Sequence, residues 1–150
     1  MMKIMVSACL LGENCKYSGG NNRNEKVLEY IKGHEVFPVC PEVMGGLPTP
    51  RVPAEIVCGT VINKDGVNVD REYRLGAEIA LEIAKREQID LAILQPRSPS
   101  CGATEIYDGT FSGRRIPGHG VTAALLMENG FRVIDAEGIE GDPAMNMKKK

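Results

Sequence analysis

The chain has little of what several familiar chemistries require. It has two histidines in 150 residues, His34 and His119. His34 falls in a helix-to-strand turn, so a cysteine–histidine thiol protease would have one base at most. No run approaches the ~20 apolar residues of a membrane-spanning helix. Neither G-x-x-x-x-G-K-[ST] nor a strand followed by G-x-G-x-x-G is present, which removes both standard phosphate cradles of nucleotide-binding proteins. Net charge is -2 and the pI about 5.7. That balance argues against a broad face for bulk nucleic acid, while leaving room for a local basic patch. There is no internal repeat and no linker. Hydrophobic residues are 43% and charged residues 25%, an ordinary globular composition on a chain long enough for one core. The start, Met1–Val6, reads as a strand and not as a signal peptide. The expected compartment is the reducing cytoplasm, with no membrane partner. Five cysteines in that compartment argue against a disulfide framework and for metal binding or catalysis.

The pattern that is present alternates strands with helices. Lys3–Ala8 is an apolar strand, and Leu10–Arg23 a Gly- and Asn-rich loop. Asn24 is expected to cap a helix to about Lys32, with Val27, Leu28 and Ile31 on its apolar side and Gly33 as its stop. Glu35–Val39 is a second strand. The segment 40–53, with Gly45, Gly46 and four prolines, is expected to be a shaped loop without a regular element. Residues 56–62 and 67–69 flank the turn Asn63–Gly66 as a hairpin. Asp70 is expected to cap a helix to Glu87 that turns Leu75, Ile79 and Ile83 inward. Leu91–Leu94 has the continuous apolar character of a strand buried on both faces. A long loop covers 95–119, with a small turn at 107–109. Residues 120–129 form a helix closed by Gly130, and 131–134 a last strand. The expected fold is α/β: a single Rossmann-like domain over residues 1–140, with a mostly parallel sheet, flanking helices and a small β-hairpin insertion. Residues 141–150 form a tail outside it.

The long loops all follow strands, which places function at the strand-end edge of the sheet. The cysteines sit there too. Cys9, Cys40 and Cys101 each lie at or just beyond an apolar run, and Cys15 follows Cys9 in the same loop. Taken singly, each is readable as a small buried hydrophobe, and the C-x5-C spacing of Cys9 and Cys15 is not that of a zinc finger. Together, three or four soft ligands delivered to one edge point to zinc, an iron–sulfur cluster or a nucleophilic thiol. Cys58, inside a strand pattern, reads as core or hairpin packing. His119 reads either as a site residue or as a helix-entry residue. Glu42, two residues past Cys40, is placed for acid–base work, though a surface carboxylate in a helix cap is the ordinary use. Ser98-Pro99-Ser100-Cys101-Gly102 is a stiff turn able to aim hydroxyls and amides at an anion, or simply a turn. Arg23, Arg51, Arg97, Arg114 and Arg115 fall in the long loops, where arginine either recognises phosphate or carboxylate or is solvated.

Five motifs carry a family resemblance: S-A-C-L-L-G-x-x-C-x-Y at 7–17, C-P-E-x-x-G-G-L-P-T-P-R-x-P-A-E-I at 40–56, R-S-P-S-C-G at 97–102, Y-D-G-T-F-S-G at 107–113 and G-V-T-A-A-L-L at 120–126. The chain resembles the thiouracil desulfidases, a family first catalogued as a domain of unknown function, over about residues 3–134. The resemblance implies a 4Fe-4S cluster held by three cysteines, with one iron left open. There a thiocarbonyl sulfur is exchanged for the oxygen of water, with release of sulfide and no net redox. Cys9, Cys40 and Cys101 match the ligands, and Cys15 matches a further family cysteine, either as a replacement ligand or as a neighbour. Glu42 and Ser98 match a proton-handling pair. Lys16-Tyr17-Ser18 stands where Arg-Tyr-Asp is frequent in the family, so no carboxylate role carries over to residue 18. Arg51, Arg97 and Ser100 are the expected substrate contacts. The extra domain fused in some relatives is missing, which implies a small thiolated pyrimidine or its nucleotide as partner. The readings set against this enzyme are a non-catalytic cluster or metal carrier or sensor, and a zinc hydrolase on the same thiolates.

Overall fold

The computed structural model describes residues 1–141. The expected tail therefore lies, past Gly141, outside the described residues. In chain order the elements are β1 (Lys3–Ser7), α1 (Glu25–Ile31), β2 (Glu35–Val39), α2 (Pro41–Met44), β3 (Ala54–Val57), β4 (Thr60–Asn63), α3 (Asp70–Glu87), β5 (Leu91–Leu94), β6 (Glu105–Tyr107), β7 (Arg115–Pro117), α4 (Val121–Glu128) and β8 (Val133–Asp135). Short 3-10 turns occupy Ala8–Leu11 and Ala136–Gly141. The central sheet is parallel, in the order β2-β1-β5-β8. The expected α/β architecture is the one found.

The apolar runs explain this sheet. All four residues of β5 are fully buried, because helices cover both faces. Alternate residues of β1 and β5 divide between two cores. Ile4, Val6, Leu91 and Ile93 pack with Val27 and Tyr30 of α1 and with Ile139. Met5, Ala92 and Leu94 pack with Ala80 and Ala84 of α3 and with Ala123 and Leu126 of α4. From β1 the chain crosses to β2 on one side, and from β2 it returns past β1 to β5 on the other. That reversal opens a crevice beyond the carboxyl ends of β1 and β5.

Four expectations are corrected. The segment after Cys40 does hold a regular element: Pro41 sits in the first turn of α2, where its missing N–H is not needed. The β3–β4 ladder closes at Cys58-Gly59, both left-handed (φ 51° and 81°), as a two-residue hairpin requires. The expected turn at Asn63–Gly66 is present as well: Ile62 bridges Asn68 antiparallel across it, and the Asn63 side chain accepts from the amides of Asp65 (3.0 Å) and Val67 (2.9 Å). Asp70 does not cap α3; its carboxylate accepts from the Val61 N–H at 3.0 Å and ties the helix to the hairpin. Leu75 is 46% exposed, and the buried stripe of α3 is Tyr73, Gly76, Ala77, Ala80 and Ala84. Small residues win there because α2 lies against α3 with almost no gap. A Cβ added at Gly76 would sit 1.9 Å from the Pro41 carbonyl oxygen, and one added at Gly45 1.9 Å from that of Glu72.

Candidate active site

Each strand end delivers its cysteine by a different local device. After Ser7 the chain turns at once into the 3-10 segment. The Cys9 carbonyl accepts from the amides of Gly12 (3.2 Å) and Asn22 (3.0 Å), folding the loop back on itself. Asn22 Nδ2 then donates to Cys9 Sγ at 3.7 Å. Cys40 is the extended N-cap residue of α2, and its thiol donates to the Cys15 carbonyl at 3.7 Å. Beyond β5, Ser98 Oγ accepts from the amides of Ser100 and Cys101, each at 3.0 Å. That hydroxyl closes the turn that buries Cys101. Cys9, Cys15, Cys40 and Cys101 all line one cavity of about 460 Å³, together with Glu42, Arg51, Tyr73 and Ser98. Its size is that of a small-molecule site.

Burial is the main force on the Cys9, Cys15 and Cys101 thiols. It pushes Cys101 up to about 12, with Glu42 and Cys9 adding to the rise and the Ser7 hydroxyl opposing it. Burial also raises Cys15, which Cys40 and Cys9 push further. Cys9 is raised by burial, opposed by the Asn22 hydrogen bond. Among the described residues no three His, Cys, Asp or Glu side chains gather tightly enough for a single metal ion.

Beside the thiols lies a charged trio. Glu42 accepts from Tyr73 Oη on one oxygen and from Arg51 Nη2 on the other. The Arg51 and Glu42 side chains are 5% and 16% exposed. Burial works against the Arg51 charge, but Glu42 outweighs it and holds the guanidinium above its ordinary value. Burial, then the Glu42 charge, push Tyr73 far up, so its hydroxyl stays a donor.

The 2-thiouracil desulfurase family matches residues 4–138. The chain belongs to this family. It is 43% identical over 141 residues to protein YbbK of Bacillus subtilis (strain 168), an alignment spanning 87% of this chain and 93% of that protein. It is also similar to the solved structure of the [4Fe-4S]-dependent thiouracil desulfidase TudS, at 38% identity and a TM-score of 0.90, over 100% of both chains.

In this member of the 2-thiouracil desulfurase family, three expected substrate contacts are differently employed. Arg51 lines the cavity with both of its Nη atoms engaged inside the chain. Nη2 also donates to the Cys15 carbonyl (3.0 Å), and Nη1 to the Pro48 carbonyl (3.2 Å) and Thr49 Oγ1 (3.1 Å). Arg97 reaches the cavity edge, but its Nη1 donates to Glu137 at 2.8 Å with Glu105 at 3.9 Å. Ser100 is buried with its hydroxyl on Thr122 Oγ1 at 2.8 Å and does not line the cavity; it joins the Cys101 turn to α4. Cys58 is exposed at the hairpin turn, and His119 sits before α4 with its Nδ1 on the Ala103 carbonyl at 2.6 Å. Neither lines the cavity.

Among the lining residues that sequence reasoning missed are Lys16, Lys64, Glu55, Tyr107 and Phe111. Among the described residues neither lysine makes an ion pair. The one available signal was position: all five fall in the motif loops or the hairpin between them.

Proposed function

We propose that this chain desulfurates thiolated pyrimidines, with water supplying oxygen to the ring carbon and sulfur leaving as sulfide. The observation that carries the reading is the meeting of Cys9, Cys40 and Cys101 with Glu42 and Ser98 around one cavity at the switch point of the sheet. The TudS likeness supports a [4Fe-4S] cofactor, and the donor set fits one. The ligands are all sulfur, the soft donor that iron–sulfur clusters take, and they line one cavity. Cys9, Cys40 and Cys101 would hold it, which leaves one iron of four without a protein ligand, and Cys15 would stand beside them. When bound, the cluster supplies a thiophilic Lewis acid for the thiocarbonyl sulfur. The exchange of C=S and water for C=O and hydrogen sulfide moves no electrons, so no reductant enters.

The side chains divide the rest of the work. Arg51 and Tyr73 fix the Glu42 carboxylate, whose remaining lone pairs can accept a proton from the attacking water. Both lone pairs of the Ser98 hydroxyl are taken by amides, so its proton points outward as a donor to the ring. Lys16, whose Nζ donates to Asn22 Oδ1 at 3.3 Å, and Lys64 line the cavity without a carboxylate partner among the described residues, and these two cations, rather than Arg51 and Arg97, would meet a nucleotide phosphate.

The test begins with anaerobic reconstitution and counts of iron and sulfide. Sulfide release is then measured with thiouracil, 4-thiouridine monophosphate and thiolated tRNA. Turnover is expected with the small substrates, fastest with the monophosphate. Lys16→Ala and Lys64→Ala should raise KM for the monophosphate and leave the free base unaffected. An iron-loaded protein that never releases sulfide would be a carrier, and equal or better turnover of tRNA would refute the small-molecule reading.

A further inference from the structure

The tip of the β6–β7 hairpin, residues 108–114, holds an aromatic side chain in a conformation its backbone resists. Phe111 has φ 56°, a left-handed setting that a bulky side chain keeps only when its surroundings impose it. The imposing group comes from another hairpin. Glu55, on β3, accepts with Oε1 from the amides of Gly109 (2.9 Å) and Phe111 (3.2 Å). The tip lies flat on β3 at this point, since a Cβ added to Gly109 would be 2.7 Å from the Ile56 carbonyl oxygen. Within the tip, Asp108 Oδ1 accepts from the Thr110 amide and hydroxyl at 2.9 and 2.5 Å, and the Thr110 and Ser112 hydroxyls pair at 2.6 Å. Phe111 lines the same cavity as the four cysteines. Nothing in the sulfur-exchange chemistry uses it.

We propose that Phe111 is the surface on which the pyrimidine ring stacks, and that Glu55 is a positioning residue that holds it there; this rests on the pyrimidine reading above. Three other aromatics line the cavity, but Tyr17 is 49% exposed, Tyr73 is buried with its hydroxyl committed to Glu42, and Tyr107 belongs to β6. Phe111 alone is held in a strained backbone setting by a bond from outside its own hairpin. A ring has a π face whatever its substituents, so stacking holds oxo and thio pyrimidines alike and strengthens binding in ground and transition states together.

The experiment uses the cluster-loaded protein and compares KM with kcat for thiouracil. Phe111→Ala should raise KM roughly tenfold, the scale of one base–aromatic stack, with kcat held within about twofold because the loss is uniform binding. Glu55→Ala should reproduce that split with Phe111 in place. Glu55→Gln should restore KM, since an amide oxygen still accepts two N–H groups. Uracil, the unreactive product, gives a second readout. The chain has no tryptophan, so Phe111→Trp installs a single reporter whose emission should change on uracil binding, and should not when Glu55→Ala is added. Unchanged KM in Phe111→Ala, a kcat loss without a KM rise in Glu55→Ala, or no emission change at saturating uracil would each overturn the proposal. If emission responds to uracil while the wild-type protein releases no sulfide, the stacking surface stands and the desulfidation reading falls.

Discussion

Replacing Gly76 with Ala tests how the two helices aim the site. In an exposed helix the change would stabilise, because alanine propensity exceeds that of glycine by roughly 1 kcal/mol. Here the new methyl would lie 1.9 Å from the Pro41 carbonyl oxygen and 2.6 Å from its carbon, against an ordinary contact of 3.4 Å or more. The oxygen alone must therefore retreat by 3.4 − 1.9 = 1.5 Å. Both sides of this contact are backbone, so no side chain can swing away. The overpacking should cost about 1–3 kcal/mol, cancelling or exceeding the propensity gain. Pro41 stands between Cys40 and Glu42, so both move with it. A misplacement of about 1 Å is enough for a loss of about a hundredfold in rate. Urea titration of the loaded protein, iron content and sulfide release should show near-neutral or reduced stability, and turnover reduced by roughly that factor. A rise in stability with turnover within twofold of wild type would show that this contact does not set the position of α2.

Other outcomes follow from the same geometry. Cys9→Ala, Cys40→Ala and Cys101→Ala should each strip iron from anaerobically prepared protein, while Cys58→Ala, exposed at its turn, should leave iron content unchanged; a Cys15 requirement without a Cys9 requirement would reverse the ligand assignment. Arg51→Ala should destabilise by about 3 kcal/mol, because it leaves the nearly buried Glu42 carboxylate without its counter-charge. Arg51→Lys should recover little of this, since one ammonium cannot serve Glu42, Cys15, Pro48 and Thr49 together; full recovery in thermal unfolding would mean that charge alone matters. Glu42→Ala and Ser98→Ala should keep cluster absorption and lose most turnover, and joint loss of cluster and turnover would make them structural.

Much of the fold was legible because its signals are local. β2 and β5 occupy the expected spans: β5 is a continuous apolar run buried on both faces, and β2 an edge strand whose Val36, Phe37 and Val39 mark it between polar turns. Asn24 caps α1 as expected, its Oδ1 accepting from the Val27 amide at 3.1 Å. The convergence of Cys9, Cys40 and Cys101 was legible for the same reason: each trails such a run. What failed depends on contacts distant in the chain. Leu75 fits a helical period, yet α3 turns its small residues inward because α2 must approach closely. β6 and β7 have three residues each, too few for any period to show. The partners of Arg51 inside the chain were hidden because they are set by how residues 40–53 coil, and Tyr73 joins Glu42 from 31 residues away.

The two residues expected to handle protons turn out to have opposite capacities. Ser98 cannot act as a base without releasing an amide, since Ser100 and Cys101 occupy its lone pairs. Releasing either would also loosen the turn that carries Cys101. In the proposed reaction it can only donate, to a ring atom or to the departing sulfur. Glu42 receives two hydrogen bonds and donates none. Arg51 and Tyr73 together fix its plane. In the proposed reaction it can only accept, which suits the proton that water must lose. Sulfur-for-oxygen exchange needs one acceptor on the water side and one donor on the ring side. The hydrogen bonds that build the loops around Cys40 and Cys101 supply one of each, so the ligand loops and the proton inventory are products of the same folding.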